Sequence, residues 1–253
     1  VDLGLQGRRA LVTGGTRGIG RAIVETLAAE GATVMFCART ESDVRGTTGA
    51  LSRSGKSALG QAVDVADARA VQRWVADFAD QAGGVDIVIA NVSALAIPDE
   101  PANWQASFEV DLMHAVRLVS AAMPHLEKSD APSIVTIASV SGREIDFAAG
   151  PYGTFKAALI HYTQGLAYQL APKGIRANSI SPGNTYFPGG VWENIQENNP
   201  ELFAQAMALN PTGRMARPEE IARAVAFMAS PAASFISGTN LVVDGALTRG
   251  VQF

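Results

Sequence analysis

The chain has 253 residues, 47% of them apolar, and a formal net charge of -4. That length and composition predict one α/β domain with a sizeable core. No run of Lys or Arg gives a pull toward nucleic acid or anionic lipid, so small-molecule chemistry is the first expectation.

Short β-branched runs alternate with amphipathic stretches, the pattern of βαβ units in a parallel sheet covered on both faces. The first predicted strand covers 10–13 and leads through a glycine loop into a helix over about 19–30. Strands follow at 32–38, 58–63 and 85–90, with helical patterns between them. Cys37, the only cysteine, falls in the apolar second strand, where a buried, inert thiol is expected. Long helices are predicted over 104–126 and 152–170, flanking a strand at 133–138. Strands at 175–180 and 241–243 close the series, the last after a helix opened by Pro218, Glu219 and Glu220. The expected fold is a single-domain, Rossmann-type, doubly wound parallel sheet of about seven strands. The segment 181–211 breaks this rhythm with prolines, Gly189-Gly190 and the aromatics Tyr186, Phe187, Trp192 and Phe203. A long irregular segment of this kind reads as a substrate lid over about 184–211, against the alternative of a surface excursion. No apolar run reaches membrane-spanning length and the opening VDLGLQGRR has no signal-peptide core, so a cytoplasmic location is expected.

The loop Thr13-Gly14-Gly15-Thr16-Arg17-Gly18-Ile19-Gly20 joins a strand to a helix. Its glycines allow a tight turn and let a pyrophosphate approach backbone N–H groups at the helix start. Ribose specificity is decided where the second strand ends, because an acid there holds two hydroxyls and an arginine accommodates a 2′-phosphate. Here the sequence is Cys37-Ala38-Arg39-Thr40, and Arg17 in the glycine loop can reach the same phosphate. NADP(H) is therefore expected over NAD(H), the alternative being two solvated loop arginines.

Tyr152 and Lys156 are spaced i,i+4 in a helical pattern, which puts the phenol and the ammonium on one face. A fixed positive charge stabilises a phenolate, so the pair suits proton exchange with a substrate oxygen. Alone, such a spacing is common. It gains weight from the glycine loop, from Ser139 after the fifth strand and from Pro182-Gly183 after the sixth, all at carboxyl ends of strands or on the helix that follows.

With these pieces together the sequence resembles the short-chain dehydrogenase/reductase family, from Gly7 to Gly245. The matching residues are 13–20, Asp64-Val65, Asn91, Ser139, Tyr152 with Lys156, Asn178, Ser181-Pro182-Gly183 and Val243-Asp244-Gly245. The resemblance implies that Tyr152 is the general acid/base, that Lys156 holds the nicotinamide ribose and that Ser139 binds the substrate oxygen. It also implies that Gly14, Thr16, Gly18, Ile19 and Gly20 cradle the cofactor, and that Asp64 and Val65 flank the adenine. Asn91 would lie on the adenosine-ribose side, with Pro182, Gly183 and Thr185 at the nicotinamide end. Plainer readings exist: Asp64 as a helix cap, Asn91 as a turn residue, Pro182-Gly183 as a breaker.

Two departures from the family pattern stand out. Ala90-Asn91-Val92-Ser93 replaces a glycine-containing loop, and Asp111 stands where the family's relay usually has asparagine. Asp111 is taken as a working catalytic substitute, although a carboxylate near Lys156 could weaken the ammonium's help to the tyrosine. His114, His125 and His161 do not cluster at ligand spacing, and no metal site is expected.

The loops 93–101, 143–151 and the segment after Gly183 should choose the substrate. Leu95, Ile97, Phe147, Tyr186, Phe187 and Trp192, mixed with Arg143 and Glu144, suit a mainly apolar ketone or secondary alcohol. The chain is also similar to 3-oxoacyl-carrier-protein reductases, yet has no obvious basic cluster for an acidic carrier. The family's habit implies a homotetramer or dimer. The rival readings are a nucleotide-binding regulator without turnover and a purely structural oligomer.

Overall fold

The computed structural model describes residues 1–56 and 58–251. Seven strands form one parallel sheet in the order β3-β2-β1-β4-β5-β6-β7. They are β1 (Arg9–Thr13), β2 (Thr33–Ala38), β3 (Ala58–Ala62), β4 (Ile87–Ala90), β5 (Ser133–Ile137), β6 (Arg176–Pro182) and β7 (Asn240–Val243). The helices are α1 (Gly18–Ala29), α2 (Glu41–Arg53), α3 (Ala68–Ala82), α4 (Pro101–Ser107), α5 (His114–Leu126), α6 (Pro151–Leu170), α7 (Val191–Asn198), α8 (Pro200–Leu209) and α9 (Pro218–Ala229).

The two-residue period of a strand sorts neighbouring side chains onto opposite faces. Ala10 and Val12 of β1, Val34 and Phe36 of β2, and Ile87 and Ile89 of β4 enter one core with Ile23 and Leu27 of α1 and Ile221 and Val225 of α9. Leu11, Met35, Cys37, Val88 and Ala90 enter the other with Trp74 and Phe78 of α3, Leu118 of α5 and Leu159 of α6. Burying each such aliphatic or aromatic side chain contributes about 1.5–3 kcal/mol, which is why these strands read as continuous apolar runs. Cys37 is fully buried, and that burial pushes its thiol up to about 12, so it is inert as expected.

Local signals set the element ends. Asp67 caps α3 by accepting hydrogen bonds from the N–H groups of Arg69 and Ala70, and Gly83 ends the helix at φ 77°. The sheet is pinned across its middle by Arg9, whose Nε donates to Asp86 at 2.8 Å.

Two expectations need correction. The helix predicted over 104–126 is not continuous: between α4 and α5 the residues Phe108–Met113 form a wider π turn, which carries Asp111 inward. The predicted irregular segment contains two helices, α7 and α8, whose Trp192 and Ala206 form a small third core with Met215. No helix among the described residues is long and apolar enough to cross a membrane.

Candidate active site

Strand order reverses at β1, whose neighbours β2 and β4 carry the chain away in opposite directions. A crevice opens at the carboxyl ends of such strands. Here it is a cavity of about 500 Å³ running from Arg39, Thr40 and Asp43 past the glycine loop to Ser139, Tyr152, Phe147 and Trp192.

The glycine loop is shaped by close approach. A Cβ on Gly20 would lie 2.0 Å from the Gly14 carbonyl oxygen, so only glycine lets α1 start this near β1. Asn91 locks the loop to β4: its side-chain Nδ2 donates to the Thr13 carbonyl and its N–H to Thr13 Oγ1, both at 2.9 Å. No side-chain hydrogen bond caps α1, and Ile19 and Gly20 of its first turn line the cavity. An uncapped helix start beside Arg17 and Arg39 suits a phosphate-bearing ligand.

At the other end Ser139 follows β5, with its Oγ accepting the Ser141 N–H at 3.2 Å. Tyr152 lies in the first turn of α6, after Pro151. One turn on, Lys156 is buried, and its Nζ donates to the Ile137 carbonyl at 2.9 Å and stands 5.6 Å from the centre of the Tyr152 ring. The fully buried Asp111 closes the group from behind, with Oδ1 3.3 Å from that ammonium and Oδ2 accepting the Ala94 N–H at 3.3 Å. Asp111 Oδ1 has no hydrogen-bond donor despite its nearness to Lys156, so the contact is an ion pair without hydrogen-bond alignment.

The neighbouring His114 is also fully buried. Its Nδ1 contacts the Val110 carbonyl and its Nε2 lies 3.4 Å from Thr13 Oγ1. Burial, with the positive charge of Lys156 second, pushes its imidazole down to about 4, so it is neutral around pH 7. Among the described residues no cluster of three or more His, Cys, Asp or Glu could hold a metal ion.

Gly14, Thr16, Arg17, Ile19, Gly20, Arg39, Val65, Asn91, Ser139, Tyr152, Lys156, Pro182, Gly183 and Thr185 all line the cavity. Asp64 does not: it closes an exposed turn, its Oδ1 accepting the Ala66 N–H at 3.0 Å. Gly18 stands behind the ring of Phe187, where an added Cβ would lie 2.5 Å from the ring, and Asp111 behind Lys156. Of the expected substrate-loop residues, Leu95, Ile97, Phe147, Phe187 and Trp192 line the cavity. Tyr186 bonds Gln196, Arg143 bonds Asn240, and Glu144 accepts the Gly250 N–H, so these three point elsewhere. Sequence reasoning missed Asp43 and Val63. Asp43 lies in the first turn of α2, just after Arg39 and Thr40, a position that could have flagged it.

A family model described as Enoyl-(Acyl carrier protein) reductase matches residues 14–248. The isoepoxydon dehydrogenase patN of Penicillium expansum is 43% identical, with 99% of this chain and 98% of that protein covered. The 3-oxoacyl-[acyl-carrier-protein] reductase FabG of Vibrio cholerae is 32% identical, with 97% and 99% covered. Among solved structures, a short chain dehydrogenase from Burkholderia cenocepacia in complex with NADP matches with a TM-score of 0.87 at 30% identity, covering 96% of this chain and 99% of that one.

Proposed function

Since the chain belongs to the short-chain dehydrogenase/reductase family and is an oxidoreductase, we propose that it moves a hydride between NADP(H) and a ketone or secondary alcohol. The observation that carries this reading is the grouping of Ser139, Tyr152 and a buried Lys156 at one end of a cavity whose other end carries Arg17 and Arg39. The nicotinamide ring, when bound, supplies or accepts the hydride at the substrate carbon.

Each residue then has a task. In reduction Tyr152 gives its hydroxyl proton to the substrate oxygen, and in oxidation it takes that proton back. Ser139 hydrogen-bonds the same oxygen and fixes its position. Lys156 places a positive charge beside the phenol, which favours the phenolate left after proton transfer. Arg17 and Arg39 clamp a 2′-phosphate through charge-assisted hydrogen bonds. The first turn of α1, with Gly14, Thr16, Gly18, Ile19 and Gly20 around it, holds the diphosphate. Val65 borders the adenine, Asn91 keeps the glycine loop in place beside the adenosine ribose, and Pro182, Gly183 and Thr185 hold the nicotinamide end. Asp111 acts through Lys156 as a positioning residue. The segment 184–211 covers the substrate, a mainly apolar molecule, and the chain works as one domain within a homotetramer or dimer in the cytoplasm.

Fluorescence titration with NADPH and turnover against a panel of ketones test this reading. Tyr152→Phe should keep NADPH binding and lose about 10²–10⁴-fold in kcat, the range for a removed general acid. Absence of NADPH binding would overturn the NADP(H) assignment.

A further inference from the structure

Two apolar features at the reacting end of the cavity have no part in proton or hydride transfer. Leu95, in the loop after β4, sits at φ 50°, a left-handed conformation that leucine rarely adopts. A turn holds it there: Ser93 Oγ accepts the Leu95 N–H at 3.0 Å, while the preceding Ala94 N–H is tied to Asp111. The result is a large aliphatic side chain that stays 44% exposed along the cavity wall. The second feature is Phe147, 46% exposed in the segment between Ser139 and Tyr152. Its ring meets that of the buried Trp192 edge-on, with centroids 5.5 Å apart and planes at 67°. Trp192 is itself braced by Phe203 of α8, so the lid helices stand behind Phe147 as a support.

A strained leucine and a propped, half-exposed aromatic ring both leave apolar surface facing one cavity. Leaving such surface in water is unfavourable, and a ligand that covers it recovers that loss. An aromatic wall fixed by an edge-to-face neighbour is best covered by a flat partner, which meets the ring by stacking or by its edge. A flexible chain covers the same wall only by giving up rotational freedom.

We propose that Leu95 and Phe147 are the specificity-determining walls of the substrate compartment, and that they select a carbonyl or carbinol attached to a flat ring over an open-chain one. This rests on the placing of the chemistry at Ser139 and Tyr152 above. It adds what that reading leaves open, the shape of the group beside the reacting carbon.

The test compares acetophenone with methyl hexyl ketone, which has the same carbon count but no ring. The unaltered protein with NADPH should favour acetophenone by roughly tenfold or more in kcat/KM. Phe147→Ala should erase most of that preference by raising KM for acetophenone, with the Kd for NADPH little changed. Leu95→Gly should keep the fold, because glycine accepts the left-handed backbone, and still lower the preference. A merely structural Leu95 would change Tm without the loss in selectivity. Binding of both ketones to the NADP-loaded Tyr152→Phe protein repeats the comparison without turnover. Equal kcat/KM or equal binding of the two ketones, or a preference that survives both wall substitutions, overturns the proposal. Selective ring binding with no turnover in the unaltered protein upholds it and strikes the assignment of Tyr152 instead.

Discussion

Lys156 Nζ and Asp111 Oδ1 face each other across 3.3 Å with neither side chain reaching solvent. Two buried opposite charges gain from each other only enough to offset their loss of water, so removing one leaves the other stranded. Asp111→Leu should therefore lower stability by about 3–5 kcal/mol in chemical denaturation. The double variant Asp111→Leu/Lys156→Met should regain most of that loss, because an apolar pair of similar volume needs no compensation, yet show no recovery of turnover. A single Asp111→Leu variant as stable as the unaltered protein would mean the pair is not held as charges.

His114 makes a second prediction, in pH. Its folded value is pushed down to about 4 from 6.5, so between those values the unfolded chain binds the proton that the folded chain refuses. Stability from this residue is thus complete above pH 6.5 and drains away as pH falls toward 4, by about 3 kcal/mol in all. Urea unfolding followed across that window should show a shallower decline for His114→Gln than for the unaltered protein.

Cofactor choice should turn on the end of the cavity that carries Arg17 and Arg39. Arg39→Ala should weaken NADPH relative to NADH by about 10–100-fold, the worth of hydrogen bonds to a charged group. Asp43, whose residue lines the same end, should act in the opposite sense, and Asp43→Asn should tighten NADPH. Fluorescence titration with both dinucleotides checks the pair, and an unchanged NADPH to NADH ratio in Arg39→Ala would remove that arginine from phosphate recognition.

Arg176 supplies a test far from the chemistry. Its buried guanidinium donates to the carbonyls of Met228, Ala229 and Ser230 at 2.8, 3.1 and 3.0 Å, at the end of α9. The carbonyls of Met228 and Ala229 lie in the last turn of α9 and have no partner further along that helix, so Arg176→Met should cost about 3 kcal/mol in denaturant unfolding. NADPH affinity below the transition should not move.

The βαβ rhythm was readable because the central strands β1, β4, β5 and β6 bury both faces, and the glycine loop, Ser139, Tyr152 and Lys156 were readable because their chemistry follows from residue type and spacing. The π turn at Phe108–Met113 was not, since the apolar pattern runs through it and the groups that meet Asp111 inside, Lys156 and the Ala94 N–H, lie 45 and 17 positions away in the chain. The helices α7 and α8 did leave a trace. Asn199 before Pro200 is a helix-start pair, and Asn199 Oδ1 does accept the Leu202 N–H at 3.1 Å. Proline and glycine density in 181–211 masked it. Asp64 was ambiguous between cofactor contact and turn because an aspartate after a strand serves either, and its geometry is that of a turn.

The central place of β1 has a consequence for assembly. Ala10 is paired on one side with Val34 and on the other with Ile87, and the Arg9–Asp86 link spans 77 positions of sequence. The crevice therefore exists only when both halves of the sheet have docked, which closes a long loop at an entropic cost. Any ligand that spans it binds the finished molecule alone, and at a hundred times its Kd would shift the unfolding equilibrium by about 2.7 kcal/mol. Melting temperature against ligand concentration thus reads occupancy of this crevice without reference to catalysis.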